Sequence, residues 1–204
     1  AKELERLTAT LDSIWGHLGR LGSHPLLVAV PGNHDLVRPD PKRAVVKVMR
    51  QWHEDRDLRD QLLTKRGGEV YRMIEKAFAP FTTWQRAWAI AHPPPAGAIV
   101  EHGALPGDVS VLLEKEGLRF GIVGLSSAFL QLEGGDYEGR LDVDVRQLHA
   151  VCDGDAPEWL AHTHASLLLT HHPPEWLRPE ARARFRELIA PPGRFVAHLY
   201  GHMH

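Results

Sequence analysis

The chain reads as an α/β layered domain with mixed sheets. Three observations predict this. Short apolar runs at 25–30, 165–170 and 195–200 alternate with stretches of helical periodicity. A hairpin is written into 109–123. Asparagine or histidine follows each of the three apolar runs. Alternating strands and helices indicate sheets covered by helices, and a hairpin among them makes the sheets mixed.

Residues 1–20 read as a helix, because Leu4, Leu7, Leu11, Ile14 and Leu18 fall on one face. Gly19 and Gly22 end it. Residues 25–30 are a short, apolar, doubly buried type of strand. Pro31-Gly32 breaks it and leaves Asn33 and His34 on the loop at its C-terminal end. Asp40-Pro41 supplies the N-cap and first turn of a helix over 41–52. The densely charged stretch 53–66 reads as a solvated face or a mobile insertion. Tyr71, Ile74, Phe78, Phe81, Trp84 and Trp88 recur at helical spacing, with Pro80 placed to kink that helix. Core packing explains this stripe better than a substrate platform does.

Pro93, Pro94, Pro95 and Gly97 mark a connection. Residues 109–114 and 118–123 form a hairpin around Lys115-Glu116-Gly117, and 126–132 reads as a continuation of the sheet. Two short helices come next, at 143–151 and 156–161. Residues 165–170 are a buried strand that ends at His171. Residues 179–189 are helical, with Glu180 and Arg184 at i,i+4 spacing for an ion pair. The last strand, 195–200, runs into Gly201-His202. No internal repeat appears.

At 204 residues the chain fits one domain with a real core, and 43% apolar and 25% charged residues are ordinary for a soluble protein. The net charge of −2 gives no strong nucleic-acid signal. Cys152 is the single cysteine, so there is no internal disulfide and no cysteine-rich zinc site. A reducing, cytoplasmic setting fits that usage. No apolar run is long enough to span a membrane, so no membrane partner is expected. The 14 histidines stand out, because several sit where strands should end.

In open α/β sheets, ligands bind at the carboxyl ends of strands. The loops carrying Asn33, His171 and His202 all come after expected strands, so they can converge although they are far apart in the chain. Asn33 offers a neutral carbonyl oxygen, and His171, His202 and His204 offer imidazoles, a donor set that suits borderline divalent metals. In an extended Gly-His-x-His segment the two histidines point the same way, within reach of two ions a few ångströms apart. Two such ions can clamp a phosphate and activate a water as nucleophile.

Pro31-Gly-Asn-His-Asp35, Thr170-His-His-Pro-Pro174 and Gly201-His-Met-His204 stand in the order of three motifs of the calcineurin-like metallophosphoesterase family, and the chain resembles that family over nearly its whole length. The resemblance implies a layered α/β/β/α sandwich of two mixed sheets. It implies a metal-dependent phosphoester hydrolase, a phosphomonoesterase or phosphodiesterase, with a phosphoester substrate and two divalent ions (Mn, Fe or Zn). Asn33, His171 and His202 would bind one metal and His204 the other. His34 would face the phosphate and protonate or stabilise the leaving oxygen as the catalytic residue. His171 is favoured over His172 as ligand, with exchange between them open. Asp35 is placed to orient its loop and has no catalytic role.

The family's Asp-x-His and Gly-Asp-x-x-Asp motifs do not precede residue 33. The expectation is therefore a single partial domain over 1–204, truncated at both ends, from a parent chain with further domains. Alone it is expected to bind metal poorly and to hydrolyse little. Residues 40–95 are a candidate helical cap or insertion. The segment 125–132 resembles bacterial family members of unassigned substrate. His17, His24, His53, His92, His102, His149, His162, His164 and His198 read as surface or packed histidines. The alternative to an enzyme is a non-catalytic regulatory or interaction module that retains half of a metal site.

Overall fold

A computed structural model describes residues 2–202 of the chain. Met203 and His204 lie outside the described residues, and with them the second-metal ligand expected from the closing motif. The described chain is an α/β fold with one five-stranded mixed sheet in the order β1-β2-β3-β4-β5. β1 (Ala98–His102), β2 (Val109–Lys115) and β3 (Leu118–Gly124) form an antiparallel meander. β4 (Ala165–Leu169) and β5 (Ala197–Leu199) continue it in parallel with β3. Two helices, α6 (Val145–Val151) and α7 (Ala156–Ala161), lie on the crossover from β3 to β4. The crossover from β4 to β5 carries α8 (Pro179–Arg184), which runs on into a wider π-turn at Phe185–Ile189.

The registers matter for function. Gly124 pairs with Leu169 and Leu169 with Leu199, so β3, β4 and β5 end side by side. The row continues past the strands. The amide of Leu125 donates to Leu169 O at 2.9 Å, and the amide of Thr170 donates to Leu199 O at 3.1 Å. The three chains that leave this edge thus begin as neighbours.

The N-terminal helix α1 (Lys2–Arg20) forms as its leucine spacing requires. It docks on α5 (Ala79–Ala91) through Trp84 Nε1–Thr8 Oγ1 at 2.9 Å and an edge-on Trp15–Trp88 contact. The aromatic stripe breaks into α4 (Glu69–Ala77) and α5 at Phe78, with Pro80 in the first turn of α5. Phe78, Ile74, Phe81 and Trp88 are buried, so the stripe is core. The hairpin and the two helices after it form as expected.

Several expectations need correction. Residues 25–30 are half-buried but belong to no strand, because no segment among the described residues forms a ladder with their amides and carbonyls. The helix expected over 41–52 is shorter, α2 (Ala44–Met49), with turns on both sides. The charged stretch 53–66 is not a mobile insertion. It folds as α3 (Arg56–Thr64), capped by Asp55 on the Leu58 amide, and buries Leu58, Leu62 and Leu63. Residues 126–132 are not a strand. They are buried on every side and turn through Gln131 N–Ala128 O and Leu132 N–Leu130 O bonds. Glu180 and Arg184 do not pair. Glu180 meets Arg178 at 3.1 Å and Arg184 meets the buried Asp142 at 3.4 Å. β1 is a strand that the connection signal at 93–97 had hidden.

Trp52, Phe78, Phe129, Leu125, Leu148 and Leu168 are among the fully buried side chains that join helices to sheet. No helix among the described residues is long and apolar enough to cross a membrane.

Candidate metal centre

The carboxyl ends of β3, β4 and β5 carry the site. After β4, Thr170 is buried, and its hydroxyl donates to His172 O at 2.7 Å. That bond bends the chain, and Pro173-Pro174 stiffens the segment beyond it. Consecutive residues of a straight strand would point to opposite faces. The bend brings His171 and His172 edge to face, with ring centroids 4.6 Å apart. After β5, the amides of Gly201 and His202 both donate to His171 O, at 3.2 and 3.1 Å. His202 is thereby held beside His171, at a centroid distance of 5.0 Å.

The third loop arrives from residues 25–30. Pro31 and Gly32 are buried. The amide of Gly32 donates to Asp35 Oδ2 at 2.8 Å, and the amide of Asp35 donates to Gly32 O at 3.2 Å. These two bonds close a turn with Asn33 and His34 at its tip. A Cβ on Gly32 would lie 2.6 Å from His171 Cε1, so only glycine lets the imidazole lie flat on this backbone. Gly107, at φ +90°, makes the matching allowance for Pro31, because a Cβ there would run into the Pro31 ring.

The result is a convergence of donors. Asn33 Oδ1 lies 3.1 Å from His171 Nε2, which lies 3.0 Å from His202 Nδ1. His171, His172 and His202 each offer a ring nitrogen within 4.8 Å of the others. Metal–nitrogen bonds of about 2.0–2.1 Å put neighbouring ligand atoms about 3.0 Å apart at right angles and about 3.4 Å apart in a tetrahedron, so the 3.0 and 3.1 Å spacings of Asn33, His171 and His202 fit a shared ion. The donor chemistry, imidazole nitrogen with an amide oxygen, suits zinc, iron or manganese.

His172 is the most deeply set of the three, at 2% exposure. Its amide donates to Ser127 Oγ at 2.9 Å, and its Nδ1 lies 2.9 Å from the same oxygen. Trp176 stacks on its outer face and meets His202 edge-on, at centroid distances of 5.4 and 4.1 Å. Burial, reinforced by the neighbouring His171 and His202, drives its pKa down to about 3, so the ring is neutral, as a metal ligand must be. Burial pushes the Cys152 thiol up to about 12, which removes it as a thiolate ligand or nucleophile near neutral pH.

The structure thus brings Asn33, His171 and His202 together, with the ring of His172 centred 4.6 Å from each of the other two imidazoles. His34 is exposed at the tip of its turn and stands apart from this cluster of contacts. Ser127 was missed: it lies in a segment expected to be strand, and no motif announces a hydroxyl that contacts a histidine 45 residues later. His198, read as packed, shares a hydrogen bond with Thr170 Oγ1 at 2.8 Å and stacks near Phe185. None of three cavities, of about 380, 680 and 520 Å³, is lined by Asn33 or by these three histidines. Comparison with protein-family models, curated proteins and solved structures finds no match to this chain.

Proposed function

We propose that this chain belongs to a metal-dependent phosphoester hydrolase of the calcineurin-like metallophosphoesterase type, acting on a phosphomonoester or phosphodiester. The observation that carries the reading is the meeting of Asn33, His171 and His202, from three motifs separated by 138 and 31 residues, within 3.0–3.1 Å. In this reading these three residues hold one divalent ion, and His204 serves a second. The ions are manganese, iron or zinc. Bound there, they supply Lewis-acid polarisation of the phosphoryl group and make a water acidic enough to attack phosphorus.

The chain's own residues take the remaining tasks. Gly32 and Asp35 shape the turn that presents Asn33 to the ion and His34 to the substrate. His34, on the exposed tip, donates a proton to the departing alkoxide as its bond to phosphorus breaks. Trp176 packs against the rings of His172 and His202 and helps hold their orientation. The two-sheet α/β/β/α sandwich is part of the same proposal, with the five described strands as one sheet. So is the assignment of residues 40–95 as a substrate-selecting cap, and so is a cytoplasmic location.

The test is hydrolysis of bis(p-nitrophenyl) phosphate by the protein at its full natural length with added manganese. Turnover should fall at least 100-fold in Asn33→Ala and in His202→Ala. Turnover that survives both substitutions together overturns the assignment. The separation of the cluster from all three of these cavities favours a second reading, a non-catalytic module with a structural metal. Metal binding without turnover on any phosphoester would select it.

A further inference from the structure

We propose that His172 is a fourth donor to the ion, so that Asn33, His171, His172 and His202 form a four-coordinate site inside this chain. The inference rests on the metal-binding part of the reading above and goes beyond its three-ligand set; a tetrahedral ion held by four protein donors is closed to water, as in the structural-metal alternative.

The first observation is an unpartnered nitrogen. His172 Nε2 is buried and has no hydrogen-bond partner among the described residues. Leaving a buried ring nitrogen unpaired costs about 1–3 kcal/mol, and native structures rarely carry that cost without a reason. An ion supplies one. The second observation is the anchoring of the ring's other edge. Ser127 Oγ has two lone pairs. It accepts the His172 amide, and it can accept Nδ1–H as well. With the ring proton on Nδ1, the Nε2 lone pair is free to bind metal. Metal-binding histidines are commonly fixed in this way, by a partner on the opposite nitrogen. Ser127 is fully buried, so the arrangement does not depend on solvent.

The third observation is geometric. The three imidazole donors lie within 4.8 Å of one another, with Asn33 Oδ1 3.1 Å from His171 Nε2. Tetrahedral donors around zinc are about 3.4 Å apart for bonds of about 2.0–2.1 Å, so the imidazoles close by no more than about 1.5 Å on binding. Ring centroids of 4.6 Å for His171–His172 and for His172–His202 leave no room for another side chain between them. Three imidazoles and one amide oxygen favour zinc or cobalt over magnesium or calcium.

The experiment is titration of the metal-free chain with zinc, tracked by calorimetry, and with cobalt, tracked by its visible spectrum. The expected result is one ion per chain and the intense band of four-coordinate cobalt. His172→Gln should weaken zinc binding more than tenfold and change cobalt to the faint band of six coordination. Ser127→Ala should weaken zinc about 10–100-fold with the cobalt band retained. In wild type, ¹⁵N-histidine NMR should show the His172 Nε2 resonance shift on zinc addition, a readout that needs no variant to fold. A stationary His172 Nε2 resonance overturns the proposal. So does His172→Gln with unchanged affinity and spectrum. In either case, loss of binding in Asn33→Ala and His202→Ala would leave the phosphoesterase-type site standing. A wild-type chain that binds neither metal overturns the proposal and leaves the phosphoesterase reading, which expects weak metal binding by this chain alone, to the hydrolysis test above.

Discussion

Glycine 32 shows how much one missing methyl group can decide. Its hydrogen faces the His171 ring, and a Cβ there would sit 2.6 Å from Cε1 and 2.7 Å from Nδ1. Neither atom can yield, because His171 O is tied to the amides of Gly201 and His202 while its ring contacts Asn33 and His202. Gly32→Ala is therefore expected to displace the imidazole, at a cost of about 1–3 kcal/mol typical of overpacking. Zinc affinity should fall at least tenfold in calorimetry, alongside a lower urea midpoint. Unchanged affinity would mean that the ring does not need this position. From sequence, Gly32 is legible only as a strand breaker before Asn33. Its contact with a ring far along the chain belongs to tertiary packing. Asn33, His171 and His202 are legible because each sits close behind an apolar run. Ser127 and the burial of His172 are not, since nothing local to either residue marks them.

Among the elements, α6 has the clearest local specification and the widest reach. Asp144 accepts the Arg146 amide at 3.0 Å, and Gln147 Oε1 accepts the Asp144 amide at 2.9 Å, a reciprocal cap. Gln147 is also fully buried, and its Nε2 donates to Asp108 Oδ1 at 2.9 Å and to Ser126 O at 3.0 Å. The cap therefore fixes the chain one residue before Ser127. Asp144→Ala removes the cap and the bonds to the Arg146 side chain, and should cost about 1–2 kcal/mol. A urea melt that matches wild type would show that α6 is held by packing alone. The contrast with α3 is instructive. Its leucines 58, 62 and 63 are surrounded by charge, so the sequence reads as a solvated face, yet all three are buried. The segment 25–30, which pairs with no strand among the described residues, fails in the opposite sense. Its composition suits a buried strand, but a strand exists only when a neighbour completes the ladder.

At the scale of the molecule, Asp108 ties three distant segments into one body. Its Oδ2 accepts the Leu105 amide, and its Oδ1 accepts the Ser126 amide and the Gln147 side chain, at 2.8–2.9 Å. Full burial pushes its pKa up from 3.8 to about 7, against the pull of these donors. A carboxyl whose pKa is higher folded than unfolded adds stability that is fully present below about pH 4 and is lost as pH rises through about 7. Asn at this position cannot titrate. The stability gap between wild type and Asp108→Asn, from urea midpoints, should therefore narrow between pH 5 and pH 8, by at most about 1.4 kcal/mol per pH unit. A gap that is constant or widens over that range would show that the carboxyl stays ionised in the fold.

By itself the sequence determined the alternation of helix and strand, the hairpin, and the candidate donors Asn33, His171 and His202, because periodicity and turn residues are local properties of the chain. Only the tertiary structure decided that β3, β4 and β5 end in one row and that the charged 53–66 stretch is packed. It alone turned His172 inward beneath Trp176 with Ser127 behind it. Those outcomes depend on which segments become neighbours, and the energy of a buried contact is paid for in the entropy of closing loops that no local pattern records.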